Sequence, residues 1–333
     1  MKNAEKKEYQ SHEIKTKDDW NICLYRYEGK NKKRHPVFLV HGLASNRYNF
    51  DFPGKGKSFA QYLWKEGWDV WMIELRGSGN SRKKESWAWL KQKWNVDHYI
   101  QQDLPCAVNY ILKTCGKKKL HWIGHSLGGL LVYPYITTQS SKIFQSITTI
   151  GSPINAETPP SYFKWTAKLD PLLKLIPFLP YRGLAKLMEK FSHRLHNMKE
   201  PLLFVKENMD AETLKICCDI AVDDVSSGVI QQLHRWIKKN NLKSFDESVD
   251  YTIDLKKLHT PLLMVTGNQD PFTPQSLVKK SFDEIASTQK KWMVFGQHEG
   301  HKSDYGHLDL IIGKNAPREV FPEILKWIGK HDA

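Results

Sequence analysis

No apolar run in this sequence approaches the ~20 residues that a bilayer-crossing helix needs. Residues 1–19 are polar and rich in Lys and Glu, so they lack the apolar centre of a secretory signal. Cysteine is scarce and odd in number: Cys23, Cys106, Cys115, Cys217 and Cys218. There is no Cys-x-x-Cys, and the adjacent pair cannot readily bridge. A disulfide scaffold is thereby excluded, and reduced structural thiols point to the cytoplasm, with peripheral membrane contact at most. No histidine or cysteine spacing suggests zinc, and no internal repeat is visible. A nucleic-acid recognition motif is also missing, which argues against nucleic acid as partner despite the basic charge.

What is present is a chain of 333 residues with 12 Trp, 13 Tyr and 14 Phe, enough to bury a full core. Its 50 Lys and Arg outnumber 36 Asp and Glu, giving a formal charge of +14. Such a charge reads as a solvated surface or as attraction to an anionic membrane or substrate. Strand and helix patterns alternate. Residues 20–27 alternate polar and apolar like an antiparallel edge strand, and 36–40 is a short buried strand. A helix over 58–66 is closed by Gly67, and 68–73 is the next strand. Helix is expected over 96–115 despite Pro105, then strands over 119–123 and 144–150. Residues 261–266 and 291–295 are further strands with a helix over 275–286 between them, and 316–329 is a closing helix. This alternation predicts an α/β fold with a mostly parallel sheet covered on both faces.

Between 152 and 257 the rhythm changes to helix patterns, prolines and high charge without strand signals. The expected organisation is core over 1–151, a helical cap inserted over 152–257, and core again over 258–333. Inside the insertion, the apolar stretch 169–181 is flanked by Lys164, Lys168, Arg182 and Lys186. It reads either as packing of the cap onto the core or as a face that admits greasy substrates or rests on an anionic bilayer.

The centre of the chain is Leu120-His121-Trp122-Ile123-Gly124-His125-Ser126-Leu127-Gly128-Gly129. A strand reversing into a helix in so few residues crowds its own backbone, and Gly124 and Gly128 relieve the crowding. Ser126 is then held on a strained turn with its hydroxyl exposed, and the Leu127 N–H sits at a helix start. Gly-x-Ser-x-Gly alone is a weak signal, so partners must be sought at other strand ends. Asp270, in a turn past the strand at 261–266 and before Pro271, is the candidate acid. Three histidines compete as base. His298 and His301 lie in a polar loop, whereas His307 stands where the loop dives back towards the core, and His307 is favoured.

The sequence resembles the α/β-hydrolases. The resemblance rests on His41-Gly42-Leu43, Glu74-Leu75-Arg76-Gly77-Ser78-Gly79, Gly124-His125-Ser126-Leu127-Gly128, Gly267-Asn268-Gln269-Asp270 and Tyr305-Gly306-His307-Leu308-Asp309. It implies a Ser126–His307–Asp270 triad in the order that fold uses. It also implies an oxyanion hole from the N–H groups of Leu43 and Leu127, with His41, Gly42 and His125 as substrate-pocket candidates. The run 305–314 is similar to polyhydroxyalkanoate synthases and lysosomal-acid-lipase-like enzymes. The former normally carry cysteine where this chain has Ser126, and dehalogenases and epoxide hydrolases of the fold use a carboxylate there. A serine esterase or lipase without metal or cofactor, acting on an apolar acyl ester, is therefore expected. An acyltransferase or polyester synthase or depolymerase with the same triad, and a non-catalytic binding member, stay open as alternatives.

Overall fold

A computed structural model describes residues 9–54, 56–81, 93–152, 154, 175–191, 203–252 and 258–332. Ten strands are found among them: β1 Gln10–Lys15, β2 Asn21–Tyr27, β3 Val37–Val40, β4 Val70–Glu74, β5 Leu120–His125, β6 Phe144–Ile150, β7 Phe178–Leu179, β8 Val225–Ser226, β9 Leu262–Gly267 and β10 Lys290–Phe295. Eight of them form one sheet in the order β1-β2-β4-β3-β5-β6-β9-β10. The β1–β2 and β2–β4 pairs are antiparallel, and every other neighbouring pair is parallel.

The central strands read as unbroken apolar runs because both their faces are covered. In β3, Phe38 and Val40 join the core on one side of the sheet, while Val37 and Leu39 join the core on the other. β9 divides likewise, Leu262 and Met264 on one side and Leu263 and Val265 on the other. Helices supply the two covers. Among them are α1 (Phe59–Lys65), α2 (Val96–His98), α3 (Leu104–Cys115), α4 (Leu127–Leu130), α5 (Val132–Thr138) and the closing helix Ala316–Lys330.

Two local expectations are corrected. β2 is not the sheet edge, because β1 pairs outside it from Gln10↔Arg26 to Lys15↔Asn21. β1 was hidden because Ile14 is its one buried side chain, so no apolar period marks it. The helix over 96–115 is interrupted by a π turn, Tyr99–Asp103, and Pro105 falls in the first turn of α3. Helical backbone runs on both sides of Pro105, and the π turn directly before it is where the ladder adjusts to the missing N–H.

Between β6 and β9 the described chain adds no strand to the large sheet. It forms helices Tyr181–Glu189, Ala211–Ile220 and Ser227–Lys239, together with a two-residue ribbon of β7 and β8 that the sequence pattern did not announce. These elements are bound to loops that follow the sheet strands. Asp223 accepts from Asn46 Nδ2 and Gly79 N, both at 2.8 Å, and its other oxygen meets Arg182 at 2.8 Å. Much of the apolar stretch, 169–174, with Lys164 and Lys168, lies outside the described residues. No helix of the described residues is long and apolar enough to cross a membrane.

Candidate active site

Ser126 occupies the turn between β5 and α4 with φ 54° and ψ −123°. A positive φ is rare for a residue with a side chain and costs on the order of 1–3 kcal/mol, so the surrounding structure must enforce it. It does so from two sides. Ser126 N donates to Ile150 O at the end of β6 (2.8 Å), and Ser152 Oγ donates to Ser126 O (2.8 Å). The flanking glycines are obligatory, since a Cβ at Gly124 would collide with the Gly128 carbonyl and one at Gly128 with the Val40 carbonyl. Among the described residues the Ser126 hydroxyl has no hydrogen-bond partner.

Asp270 lies three residues beyond β9 and His307 in the loop that follows β10, and the structure brings them together. His307 Nδ1 is 2.7 Å from Asp270 Oδ2. The carboxylate is further fixed by Phe272 N (2.9 Å) and Thr273 N (3.1 Å) on Oδ1 and by the Thr273 hydroxyl on Oδ2. Burial alone would raise the Asp270 carboxyl. The facing His307 imidazole and these donors more than offset that and hold it below the usual carboxylate range. Asp270 is therefore ionised at neutral pH, as a group that orients an imidazole should be. Gly151, at the end of β6 with φ 58°, marks the meeting point. A Cβ there would sit 3.1 Å from His307 Nδ1 and 3.3 Å from Asp270 Oδ2. The residue before it, Ile150, carries the carbonyl that holds Ser126 N. Asp270 and His307 thus meet beside Gly151, one residue beyond the carbonyl that holds the Ser126 backbone.

The loop that carries His307 is tied down by Asp309. Its Oδ1 accepts Gly306 N (3.0 Å), and its Oδ2 accepts Asn208 Nδ2 (3.0 Å). Burial pushes the Asp309 carboxyl up to about 7 despite these donors. Leu203 O receives the N–H groups of both His307 and Leu308. Of the other two histidines, His298 is exposed and His301 packs on Phe295 at 4.6 Å.

The turn after β3 lies against Ser126, for a Cβ on Gly42 would be 3.1 Å from Ser126 Cβ. Gly42 N donates to Asn49 Oδ1 (3.2 Å). The N–H groups of Leu43 and Leu127 are committed to no described residue. His41 and His125, read from the sequence as pocket candidates, are both buried. Leu75 N donates to His41 Nε2 (3.1 Å), so Nδ1 carries the proton that reaches Gly42 O (2.8 Å). Burial pulls its pKa down to about 4. His125 lies between Asn49 Oδ1 (3.1 Å) and His307 O (3.0 Å), and burial, reinforced by His307, brings it down to about 3. Both rings brace the turns from behind. Asn49, Thr273 and Gly151 were missed in the sequence. Gly151 alone left a trace there, as the glycine ending a strand.

Comparison with known proteins identifies the fold family. A family model described as the alpha/beta hydrolase fold matches residues 35–313. Lipase member K of Homo sapiens is 22% identical over 364 aligned residues, covering 95% of this chain and 86% of the relative. Gastric triacylglycerol lipase of Bos taurus is 26% identical, covering 96% and 87%. Among solved structures, a thermophilic esterase from Thermogutta terrifontis aligns with a TM-score of 0.64 at 18% identity, covering 97% of this chain and all of that one. Paleococcus ferrophilus monoacylglycerol lipase aligns at 0.60 with 20% identity, covering 92% and 99%. At such identity the structural likenesses speak to the fold alone. With a family model spanning most of its length, the chain belongs to the α/β-hydrolase fold family, of which it is a lipase- and esterase-like member.

Proposed function

We propose that this protein is a carboxylic ester hydrolase working through an acyl-enzyme on Ser126. The observation that carries the reading is the 2.7 Å contact of His307 Nδ1 with an ionised, buried Asp270, at the rim where Ser126 is held at positive φ. In this mechanism Asp270 keeps the His307 proton on Nδ1 and leaves Nε2 as the base. Nε2 takes the Ser126 proton as Oγ attacks the ester carbonyl. The tetrahedral oxyanion is met by the Leu127 and Leu43 N–H groups, each worth about 3–4 kcal/mol in such mechanisms. Collapse returns the proton to the leaving alcohol. Water, deprotonated by His307, then releases the acid and restores Ser126.

The segment 152–257 acts in this reading as a cap over the site and shapes an apolar acyl pocket. Contact with lipid aggregates follows from helix Tyr181–Glu189 and the turn after it. Leu184, Leu187, Met188 and Phe191 recur at helical spacing and are exposed, with Lys186 and Lys190 beside them. An apolar stripe flanked by cations suits an interface bearing anionic lipid.

The test is covalent labelling. A fluorophosphonate should modify the protein at Ser126 and not the Ser126→Ala variant, and p-nitrophenyl esters should be hydrolysed by the wild type alone. Labelling that survives the substitution would place the nucleophile elsewhere.

A further inference from the structure

At the opposite end of the sheet, three side chains from distant parts of the chain converge. His35 lies just before β3, His121 begins the regular pairing of β5 with β6 after a register shift at Leu120, and Asp332 follows the closing helix. Asp332 Oδ1 is 2.9 Å from His35 Nδ1 and 3.2 Å from His121 Nε2, and it also accepts His35 N at 2.9 Å. Three nitrogens on one oxygen exceed its two lone pairs. The ligand-capable atoms of the three residues all lie within 4.8 Å of one another.

We propose that His35, His121 and Asp332 form a structural site for a divalent transition ion of the zinc class. Two imidazoles and a carboxylate are a donor set that zinc accepts, with bonds of about 2.0–2.2 Å and ligand atoms therefore about 3.3–3.5 Å apart in a tetrahedron. The nitrogen–oxygen separations of 2.9 and 3.2 Å would open by a few tenths of an ångström, and the two ring nitrogens, within 4.8 Å of one another, would close by up to about 1.5 Å through ring rotation. The orientation of His121 is already set. Its Nδ1 lies 2.7 Å from Ser146 Oγ, and its ring stands edge-on to Trp68 at 5.3 Å. A second hydrogen bond of that kind fixes a ligating imidazole and its tautomer. His121 is fully buried and His35 partly exposed, so the fourth position opens towards solvent on the His35 side and takes a water.

The ion is structural and not part of ester chemistry. Ser126 lies five residue steps along the chain from His121, roughly 16 Å at the rise of a β-strand. It would clamp the start of β3, the start of β5 and the C-terminal turn to one point. No ligand motif announces this site in the sequence, because 35, 121 and 332 meet only through the fold.

The test uses untagged full-length protein stripped with EDTA and titrated with Zn²⁺ by calorimetry, with Co²⁺ absorption reporting tetrahedral coordination. One equivalent should bind, and saturation should raise Tm by on the order of 5 °C. Asp332→Ala and His35→Asn should each weaken binding at least about 100-fold. His35→Asn retains an N–H near the position of Nδ1, so the bond to Asp332 survives without an imidazole ligand. Absence of wild-type binding would overturn the proposal. So would undiminished binding in both variants, which would move the ion to others of the 14 histidines.

Discussion

His125 Nε2 lies 3.0 Å from the carbonyl oxygen of His307, and the two ring centres are 4.8 Å apart at a tilt of 42°. The far side of the same ring, Nδ1, is 3.1 Å from Asn49 Oδ1, which also receives Gly42 N. One buried imidazole therefore spans the turn after β3 and the loop that carries His307, the two parts whose spacing about Ser126 matters in the proposed mechanism. His125→Phe keeps an aromatic ring, somewhat larger than imidazole, and removes both nitrogens. A displacement of about 1 Å in such a site can cost 10²-fold, so kcat should fall by about that factor while KM changes little. Steady-state kinetics on a soluble ester decides it. A raised KM with unchanged kcat would mean that the ring meets substrate instead.

Asp270→Asn should leave the fold in place and lower kcat by roughly 10⁴-fold, the cost of presenting the wrong imidazole tautomer. The Asp270 carboxyl is held below its ordinary range in the folded protein. Its ionisation therefore stabilises the fold above the usual carboxylate pKa, and that contribution is lost as pH falls through the depressed value. The wild type should lose stability on acidification more steeply than the variant. Chemical unfolding from neutral pH down to about pH 3 measures the difference, and parallel profiles would refute the coupling.

Ser126 offers a test of strain separate from chemistry. Ser126→Gly and Ser126→Ala both remove the proposed nucleophile, but only glycine is at ease at φ 54°. Relief of about 1–3 kcal/mol of backbone strain is set against about 0.4–1 kcal/mol of extra chain entropy in the unfolded state. Strain relief wins. The glycine variant should exceed the alanine variant by about 1 kcal/mol in urea unfolding, and equal stabilities would show that the turn carries no strain.

How much of this could be read beforehand depends on the range of the interaction. The central strands were legible because burial on both faces leaves an unbroken apolar run, as in Val37–Val40. Ser126 was legible because its turn needs glycines at fixed offsets within a few residues. Asp270 and His307, which the structure brings into contact, were singled out by position, each beyond its own strand, and that logic is carried by the fold rather than by any local pattern. Asn49 and Thr273 gave no signal. Asn49 Oδ1 meets Gly42 N and His125 Nδ1, and Thr273 meets the Asp270 carboxylate through its N–H and hydroxyl, yet any polar residue looks the same in a loop. β1 escaped for the opposite reason, since an exposed edge strand buries too little to print a period of two.

Asp309 yields a second pH prediction with the opposite sign. Its carboxyl is raised from 3.8 to about 7 in the folded protein by burial. The folded state therefore holds a proton that the unfolded chain has released. This contribution is complete below pH 3.8 and is lost as pH rises through about 7. Asp309→Asn, always neutral, should not show that loss. Its stability relative to wild type should climb between about pH 4 and 7 and level off above. A pH-independent difference would show that Asp309 does not titrate in that window.

The exposed stripe on helix Tyr181–Glu189 separates a lipid-facing surface from mere decoration. Leu184 and Leu187 are 52% and 55% exposed, so replacing both by serine costs the fold little buried area. Removing two leucines from an interface forfeits on the order of 3 kcal/mol of transfer free energy, about a 10²-fold loss of partitioning. Binding to vesicles containing anionic lipid should weaken accordingly, and turnover of an emulsified long-chain ester should fall with it. Hydrolysis of soluble p-nitrophenyl acetate should hold steady, because that ester reaches Ser126 without an interface. Equal losses on both substrates would instead tie the leucines to the folding of the cap, and no loss on either would leave the stripe without a lipid partner.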